Sequence, residues 1–190
     1  ENGEDVLFVS MSSGISGSYA SSKIAANQLA EEFPERKMLT VDTYSASLAE
    51  GIVVMRAVEC RKEGLSIDET YQILRALRHR MAQIFTVGDL RYLKRTGRLS
   101  NLEAAVGTVL QIKPLLKGDP QGKIVCFAKV RGRQRAIEEM AKRYEELVVS
   151  PETQTVCISH ADCEADAQIL ASMLRRSKAP KDILIVDYEP

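Results

Sequence analysis

A serine- and glycine-rich segment near the start of the chain has residue types suited to holding a small anion. It reads Val9-Ser10-Met11-Ser12-Ser13-Gly14-Ile15-Ser16-Gly17-Ser18-Tyr19 and lies between a strand pattern and a helix pattern. Glycine lets the backbone approach a ligand, serine supplies hydroxyl donors, and the following helix offers free backbone N–H groups. In α/β proteins, loops of this kind at the carboxyl ends of strands collect ligands. The segment therefore predicts a site for a carboxylate or a phosphate.

The spacing argues against two sharper interpretations. A nucleophile elbow requires Gly-x-Ser-x-Gly, but Gly17 follows Ser16 directly. A Walker A loop requires Gly-Lys-Ser/Thr at the start of the helix, and that tripeptide is absent from this segment. Because serine and glycine also cap helices and close turns, the pattern alone leaves anion binding and a purely structural role equally open.

Composition limits the other classes of function. Among 190 residues the formal net charge is zero, so the total does not indicate a nucleic-acid partner or an acidic membrane. No apolar run approaches the ~18 residues that a membrane span needs, and stable membrane insertion is not expected. The four cysteines are too sparse for a disulfide framework, which favours reduced thiols in a cytoplasmic protein. Cys157, His160 and Cys163 lack a fourth ligand, so we expect packing there and no metal site.

Hydrophobic patterns predict the elements that position these residues. The apolar run Val6-Leu7-Phe8-Val9 predicts a strand covered on both faces, followed by a helix and a second strand at residues 37–41. The inner side of that helix is expected to carry Ile24, Ala25, Leu29 and Phe33. Capping boxes, a serine followed three residues later by glutamate, are predicted at Ser47/Glu50, Ser66/Glu69 and Ser100/Glu103.

The second half of the chain has a different pattern. A strand at residues 83–87 precedes a short helix, and two strands flank a hairpin loop at residues 118–122. A long helix, a strand, a last helix and a last strand follow. The fold class predicted is α/β, with a parallel sheet covered by helices on both faces and a second α/β domain with a mixed sheet. The domains are expected at residues 1–82 and 83–190.

Four motifs occur in an order that is typical of one family. They are Ser12-Ser13-Gly14-Ile15-Ser16-Gly17-Ser18-Tyr19, the stretch from Phe85 to Ser100 containing Asp-Leu-Arg-Tyr-Leu-Lys-Arg-Thr-Gly-Arg, Ile112-Lys113-Pro114-Leu115-Leu116, and Lys129-Val130-Arg131-Gly132. In these motifs the chain resembles the DegV family of bacterial lipid-binding proteins over nearly its whole length.

The resemblance implies a function in fatty-acid binding. Proteins of this family are two-domain α/β proteins that enclose a fatty acid in an apolar tunnel between the domains. By this resemblance Ser16 holds the carboxylate, with Ser13 and Gly17 beside it, and the bound fatty acid is the ligand without a further cofactor. The resemblance also implies that the chain is a binding subunit and no enzyme, that a separate fatty acid kinase is its partner, and that Arg98 and Arg131 dock on that kinase.

The chain departs from the family pattern in two respects. The family's Gly-Gly-Arg reads Thr96-Gly97-Arg98, so we expect a stiffer or differently shaped loop. Family members are longer at both ends, where an upstream Thr-x-Ser segment and a downstream histidine contribute to the carboxylate site, and we expect this chain to lack both. The alternative function is a serine-dependent hydrolase or acyl transferase with Ser16 as nucleophile, which would need a general base within reach.

Overall fold

The structure, a computed structural model, describes residues 3–98 and 111–188. The described residues of 1–83 form one compact unit together with the loop 118–124, and those of 84–117 and 125–190 form a second. The loop 118–124 thus belongs to the first unit although the sequence assigned it to the second domain. The domain boundary near residue 82 stays a prediction.

Helices and strands alternate in the order expected of an α/β protein. In chain order they are β1 Val6–Ser10, α1 Ser18–Glu32, β2 Met38–Asp42, α2 Ser47–Lys62, α3 Ile67–Leu77, β3 Ile84–Phe85, α4 Arg91–Arg95, β4 Ile112–Gly118, β5 Ile124–Arg131, α5 Arg133–Leu147, β6 Thr155–His160, α6 Glu164–Arg176 and β7 Asp182–Asp187. Short 3₁₀ turns occur at Arg78–Arg80 and Pro151–Thr153.

The first unit is built on the parallel pair β1–β2, whose register runs from Val6 opposite Met38 to Ser10 opposite Asp42. Its buried core consists of Val41, Val53 and Leu74, from β2, α2 and α3. Since the two strands run in the same direction and end at the same level, the loops that follow them meet at one edge of the sheet.

Capping chemistry was predicted correctly for α3 and wrongly for α2. The Ser66 hydroxyl accepts from the Glu69 amide at 3.3 Å, while the Ser66 amide donates to the Glu69 carboxylate at 2.8 Å, which confirms that capping box. By contrast α2 begins at Ser47, with extended Ala46 as its N-cap and no serine cap. The Gln83 side chain serves Ala46 instead, accepting from its amide at 3.2 Å and donating to its carbonyl at 2.9 Å. The predicted box of Ser100 and Glu103 lies outside the described residues.

The expected inner side of α1 is wrong. No residue of this helix is buried, and Ile24 is 62% exposed. The half-buried positions are Tyr19, Ser22 and Ala26, whose spacing of three and four residues puts them on one face. The helix packs mainly along β2, and the β1 side chain of Phe8 is left 44% exposed.

The second unit contains two separate sheets in its described part. The first sheet has the order β3-β4-β5, and β3 pairs antiparallel with β4. The strand β3 has only two residues, fewer than the strand expected at residues 83–87. In the second, β6 and β7 pair in parallel from Thr155 opposite Asp182 to His160 opposite Asp187. The buried core around α5 and α6 consists of Ile137, Ala141, Ile158, Ala167, Leu170, Ala171 and Leu174. Helices with parallel and antiparallel strands confirm the α/β class.

Candidate functional site

Two loops are joined at the carboxyl edge of β1 and β2. The Ser12 amide in the loop after β1 donates to the Ser45 carbonyl in the loop after β2, at 2.8 Å. The carboxylate of Asp42, which is only 4% exposed, accepts from the amides of Ser13 at 3.2 Å and Tyr44 at 3.1 Å. Asp42 therefore ties the two loops together.

A buried threonine, Thr43, also holds the loop after β2 against the end of β1. Thr43 has no exposed surface, and its hydroxyl donates to the Ser10 carbonyl at 2.8 Å. The same oxygen accepts from the Ser45 amide at 3.2 Å. Since both partners are nearly buried, the second loop is held in register with the end of β1.

A third segment, the hairpin loop of residues 118–124, packs on the loop after β1. The Ser12 hydroxyl donates to the Gly122 carbonyl at 2.8 Å and accepts from the Gly14 amide at 3.1 Å. Ser12 is 1% exposed, and these two bonds use its proton and one acceptor site. Its role in the described structure is to bind backbone.

The remaining hydroxyls of the loop stand at the start of α1. The Ser16 hydroxyl lies 2.8 Å from the Ser18 hydroxyl and accepts from the Ser18 amide at 3.2 Å. The next two amides, of Tyr19 and Ala20, belong to the first turn, where a helix supplies no acceptor of its own. No acidic residue lies in this turn to neutralise the positive end of the helix dipole. The arrangement suits a small anion near Ser16.

The three residues predicted to bind the carboxylate lie together in this one loop. Ser16 is half-buried, and Ser13 and Gly17 are exposed. Gly17 occupies the N-cap position of α1 with φ −74°, and no atom lies within 4 Å of the position a β-carbon would take. Their binding roles stay predictions.

Sequence reasoning missed the residues that shape the loop. From the sequence, Ser12 is only part of the signature, Gly122 is only part of the hairpin loop, and Thr43 has no predicted role. A buried threonine directly after a strand could have been suspected from its place at the sheet edge. The contact of Ser12 with Gly122 joins residues 110 positions apart and has no local signal in the sequence.

The two arginines predicted to dock on a partner lie in the second unit. Arg98 follows α4, and its guanidinium donates to the Thr96 carbonyl at 2.5 Å while its amide donates to the Leu93 carbonyl at 3.2 Å. Arg131 ends β5 and is exposed, followed by Gly132 at φ 91°. A role in docking stays a prediction for both.

The surroundings of Ser16 differ from those of a serine nucleophile. In residues 3–98 and 111–188 its hydroxyl contacts Ser18 and no histidine or carboxylate. The His79 ring stacks edge-on against Tyr44 in the first unit, and His160 lies 3.3 Å from the Asp187 carboxylate in the second. This arrangement gives the hydrolase alternative no support.

In the described part of the chain, no group of three histidine, cysteine or acidic side chains is placed to hold a metal ion. None of the helices there has the length and apolar character that crossing a membrane requires.

Comparison with known proteins identifies relatives over the whole chain. Residues 1–190 match the family model described as "Uncharacterised protein, DegV family". A DegV domain-containing protein of Clostridium perfringens is 40% identical over 188 residues, which are 99% of this chain and 64% of that protein. The chain thus spans less than two thirds of the length of this curated relative.

Solved structures show the same fold. A DegV family protein from Ruminococcus gnavus, refined with vaccenic acid, superposes with a TM-score of 0.89 at 27% identity, covering 98% of this chain and 66% of that one. A fatty acid binding DegV family protein from Streptococcus agalactiae gives a TM-score of 0.86 at 29% identity, covering 97% of this chain and 64% of that one. From its sequence match and its fold together, this chain belongs to the DegV family.

Proposed function

We propose that this chain binds the carboxylate of a long-chain fatty acid at the loop between β1 and α1. The observation that carries the proposal is the position of the Ser16 hydroxyl beside the first turn of α1, which has no acidic residue. The vaccenic acid of the Ruminococcus gnavus structure and the description of the Streptococcus agalactiae protein as fatty acid binding support the same class of ligand. Both relatives are more than 25% identical to this chain.

In this proposal the loop orients the carboxylate, whereas the acyl chain supplies most of the binding affinity. The Ser16 hydroxyl donates to one carboxylate oxygen, Ser13 offers a second hydroxyl, and the amides of the first turn of α1 face the negative charge. The contact between Ser16 and Ser18 is exposed to solvent, so exchanging it for a ligand oxygen loses little. Burial of the acyl chain contributes ~0.8 kcal/mol per CH₂ and supplies most of the affinity.

The family resemblance supports two finer parts of the proposal. The acyl chain occupies an apolar tunnel between the two domains, and the bound fatty acid is presented to a separate fatty acid kinase. On this proposal the chain is a binding subunit without a cofactor of its own, and phosphoryl transfer takes place on the partner. Cytoplasmic localisation likewise stays a prediction of the sequence.

Kinase docking is proposed for Arg98 and Arg131. Positively charged side chains speed association with an acidic partner surface. With a purified fatty acid kinase, Arg98→Glu and Arg131→Glu are expected to weaken association. Arg135→Glu is the matched control, because Arg135 is likewise an exposed arginine of the second unit, on α5, and is not among the residues proposed to dock. Equal effects of all three charge reversals would contradict specific docking.

Equilibrium binding of radiolabelled hexadecanoic acid tests the carboxylate site. Ser16→Ala is expected to weaken binding about tenfold or more, as loss of a hydrogen bond to a charged group does. Ser22→Ala is the control, since the Ser22 hydroxyl bonds the Tyr19 carbonyl further along α1. Unchanged affinity in Ser16→Ala would show that the carboxylate lies elsewhere.

A further inference from the structure

The hairpin loop 118–124 and the loop after β1 fit together without room for one methyl group. A β-carbon on Gly122 would lie 2.0 Å from the Ser12 hydroxyl and 3.0 Å from the Tyr44 α-carbon. A β-carbon on Gly14 would lie 2.6 Å from the Gly122 carbonyl carbon. The 2.0 Å and 2.6 Å distances are shorter than real β-carbons show, so this close approach requires glycine at both positions.

The orientation of the Gly122 carbonyl is fixed within the hairpin loop itself. The Asp119 carboxylate accepts from the amides of Gln121 at 2.8 Å and Lys123 at 2.9 Å. The Gly122 amide donates to the Asp119 carbonyl at 2.9 Å, and Gly122 has φ +73°. The acceptor that meets Ser12 is therefore held in place by hydrogen bonds within the hairpin loop itself.

Through its own hydrogen bonds, Ser12 links the hairpin loop to the loop between β1 and α1, which is the proposed carboxylate site. Its hydroxyl accepts from the Gly14 amide at 3.1 Å, and its carbonyl accepts from the amides of Ile15 at 3.2 Å and Ser16 at 3.1 Å. Three successive backbone amides ahead of α1 are thus anchored on one buried residue, whose own side chain is anchored on Gly122.

We propose that Ser12 and Gly122 are positioning residues for the carboxylate site: the hairpin loop, through Gly122, holds Ser12, and Ser12 sets the backbone that carries the Ser16 hydroxyl. This inference rests on the proposed function for the identity of the ligand. The geometry of the loop is open to a test that needs no ligand. Because Ser12 is buried and its hydroxyl bonds backbone groups, both residues act through Ser16.

Hydrogen exchange of the amides in residues 11–19, followed by mass spectrometry of the full chain, tests the positioning. Ser12→Ala and Gly122→Ala are expected to speed exchange of the Gly14, Ile15 and Ser16 amides about tenfold or more, the effect of losing ~1.4 kcal/mol of protection. Gly64→Ala is the matched control. Gly64 also has positive φ, +79°, but no atom lies within 4 Å of its β-carbon position. It reproduces the backbone strain without the contact.

The control decides what faster exchange means. Faster exchange in Ser12→Ala that is absent from Gly64→Ala supports the positioning, even if Gly122→Ala does not fold. Unchanged exchange in Ser12→Ala would overturn the proposal. Equal acceleration in Gly122→Ala and Gly64→Ala would also overturn it, because general destabilisation would then account for the effect.

A second measurement separates this inference from the proposed function. Binding of hexadecanoic acid and of 1-hexadecanol is compared in wild type and Ser12→Ala. Loss of affinity for the acid about tenfold greater than for the alcohol supports positioning of the carboxylate site. Equal losses for both ligands would overturn it. If wild type binds neither ligand, the proposed function fails, and hydrogen exchange alone decides the positioning.

Discussion

The replacement Thr43→Val tests how the two loops at the edge of β1 and β2 are held together. Valine has nearly the same shape as threonine, so the change removes the hydroxyl and its hydrogen bonds to the backbone of Ser10 and Ser45. The Ser45 amide, in a residue that is 5% exposed, would lose the acceptor that lies 3.2 Å away. The Ser10 carbonyl would lose a 2.8 Å bond but keep the one from the Thr43 amide at 3.2 Å.

The expected cost follows from this difference between the two partners. Leaving one buried N–H without an acceptor costs about 1–3 kcal/mol, and the carbonyl that keeps a donor adds less. We expect Thr43→Val to lower the free energy of unfolding by ~2 kcal/mol. In native-state hydrogen exchange, the Ser45 amide should exchange about thirtyfold faster.

Urea denaturation followed by circular dichroism measures the change, since the chain has no tryptophan for fluorescence. Thr155→Val is the control, because Thr155 is exposed on β6 and its replacement should change stability by less than ~0.5 kcal/mol. A change below ~0.5 kcal/mol in Thr43→Val, with the Ser45 amide unaffected, would refute the role assigned to this hydroxyl.

Further predictions concern a carboxylate, an ion pair, a pH dependence and a thiol. Asp42→Ala is expected to weaken fatty-acid binding about tenfold. Asp42→Asn keeps an acceptor for the Ser13 amide and should retain most of the wild-type affinity. Equal losses of affinity in the two variants would contradict this role of Asp42. The side chains of Arg133 and Asp166 lie 2.7 Å apart and are 36% and 31% exposed. A double-mutant cycle should therefore give a coupling free energy of ~0.5–1 kcal/mol between them. A coupling energy of zero would contradict this ion pair. Burial raises the pKa of Glu50, so the folded state binds its proton more tightly than the unfolded state does. Glu50→Gln should therefore be more stable than wild type at pH 7, with the difference shrinking as pH falls through the raised pKa; a difference that is constant from pH 7 to pH 4 would refute it. Burial also raises the pKa of the Cys157 thiol, so iodoacetamide should label it more slowly at pH 8 than the same cysteine in a peptide, and equal rates would contradict this.

The α/β class and the order of elements could be predicted because they depend on local patterns. The capping box of Ser66 and Glu69 is complete within four consecutive residues, and the structure contains it. The similar pair Ser47 and Glu50 misled because Ser47 is the first residue of α2, and the N-cap is Ala46, whose backbone is bonded by the distant Gln83. A local pattern predicts a cap correctly only where the helix begins at the residue that the pattern implies.

The inner face of α1 could not be read from its apolar residues. Ile24 and Leu29 suggested a buried side, yet both are exposed, and the half-buried positions of the helix are Tyr19, Ser22 and Ala26. Hydrophobicity reports which residues avoid water, whereas the orientation of a helix is fixed by all of the surfaces that surround it.

The candidate site, too, could be predicted from the sequence only in part. The loop with Ser13, Ser16 and Gly17 was identified from its residues, because its serines and glycines stand at a strand–helix junction. The parts that hold it, Thr43 and the contact of Ser12 with Gly122, depend on tertiary structure. A contact across 110 residues leaves no trace in local spacing.

Native mass spectrometry of the chain purified from a bacterial host, followed by denaturing extraction and lipid analysis, tests fatty-acid binding most directly. We expect a co-purifying long-chain fatty acid at near-stoichiometric amount that is lost in Ser16→Ala and retained in Ser22→Ala. A protein that stays free of lipid in the presence of excess fatty acid, or one that retains its lipid in Ser16→Ala, would contradict the site described above.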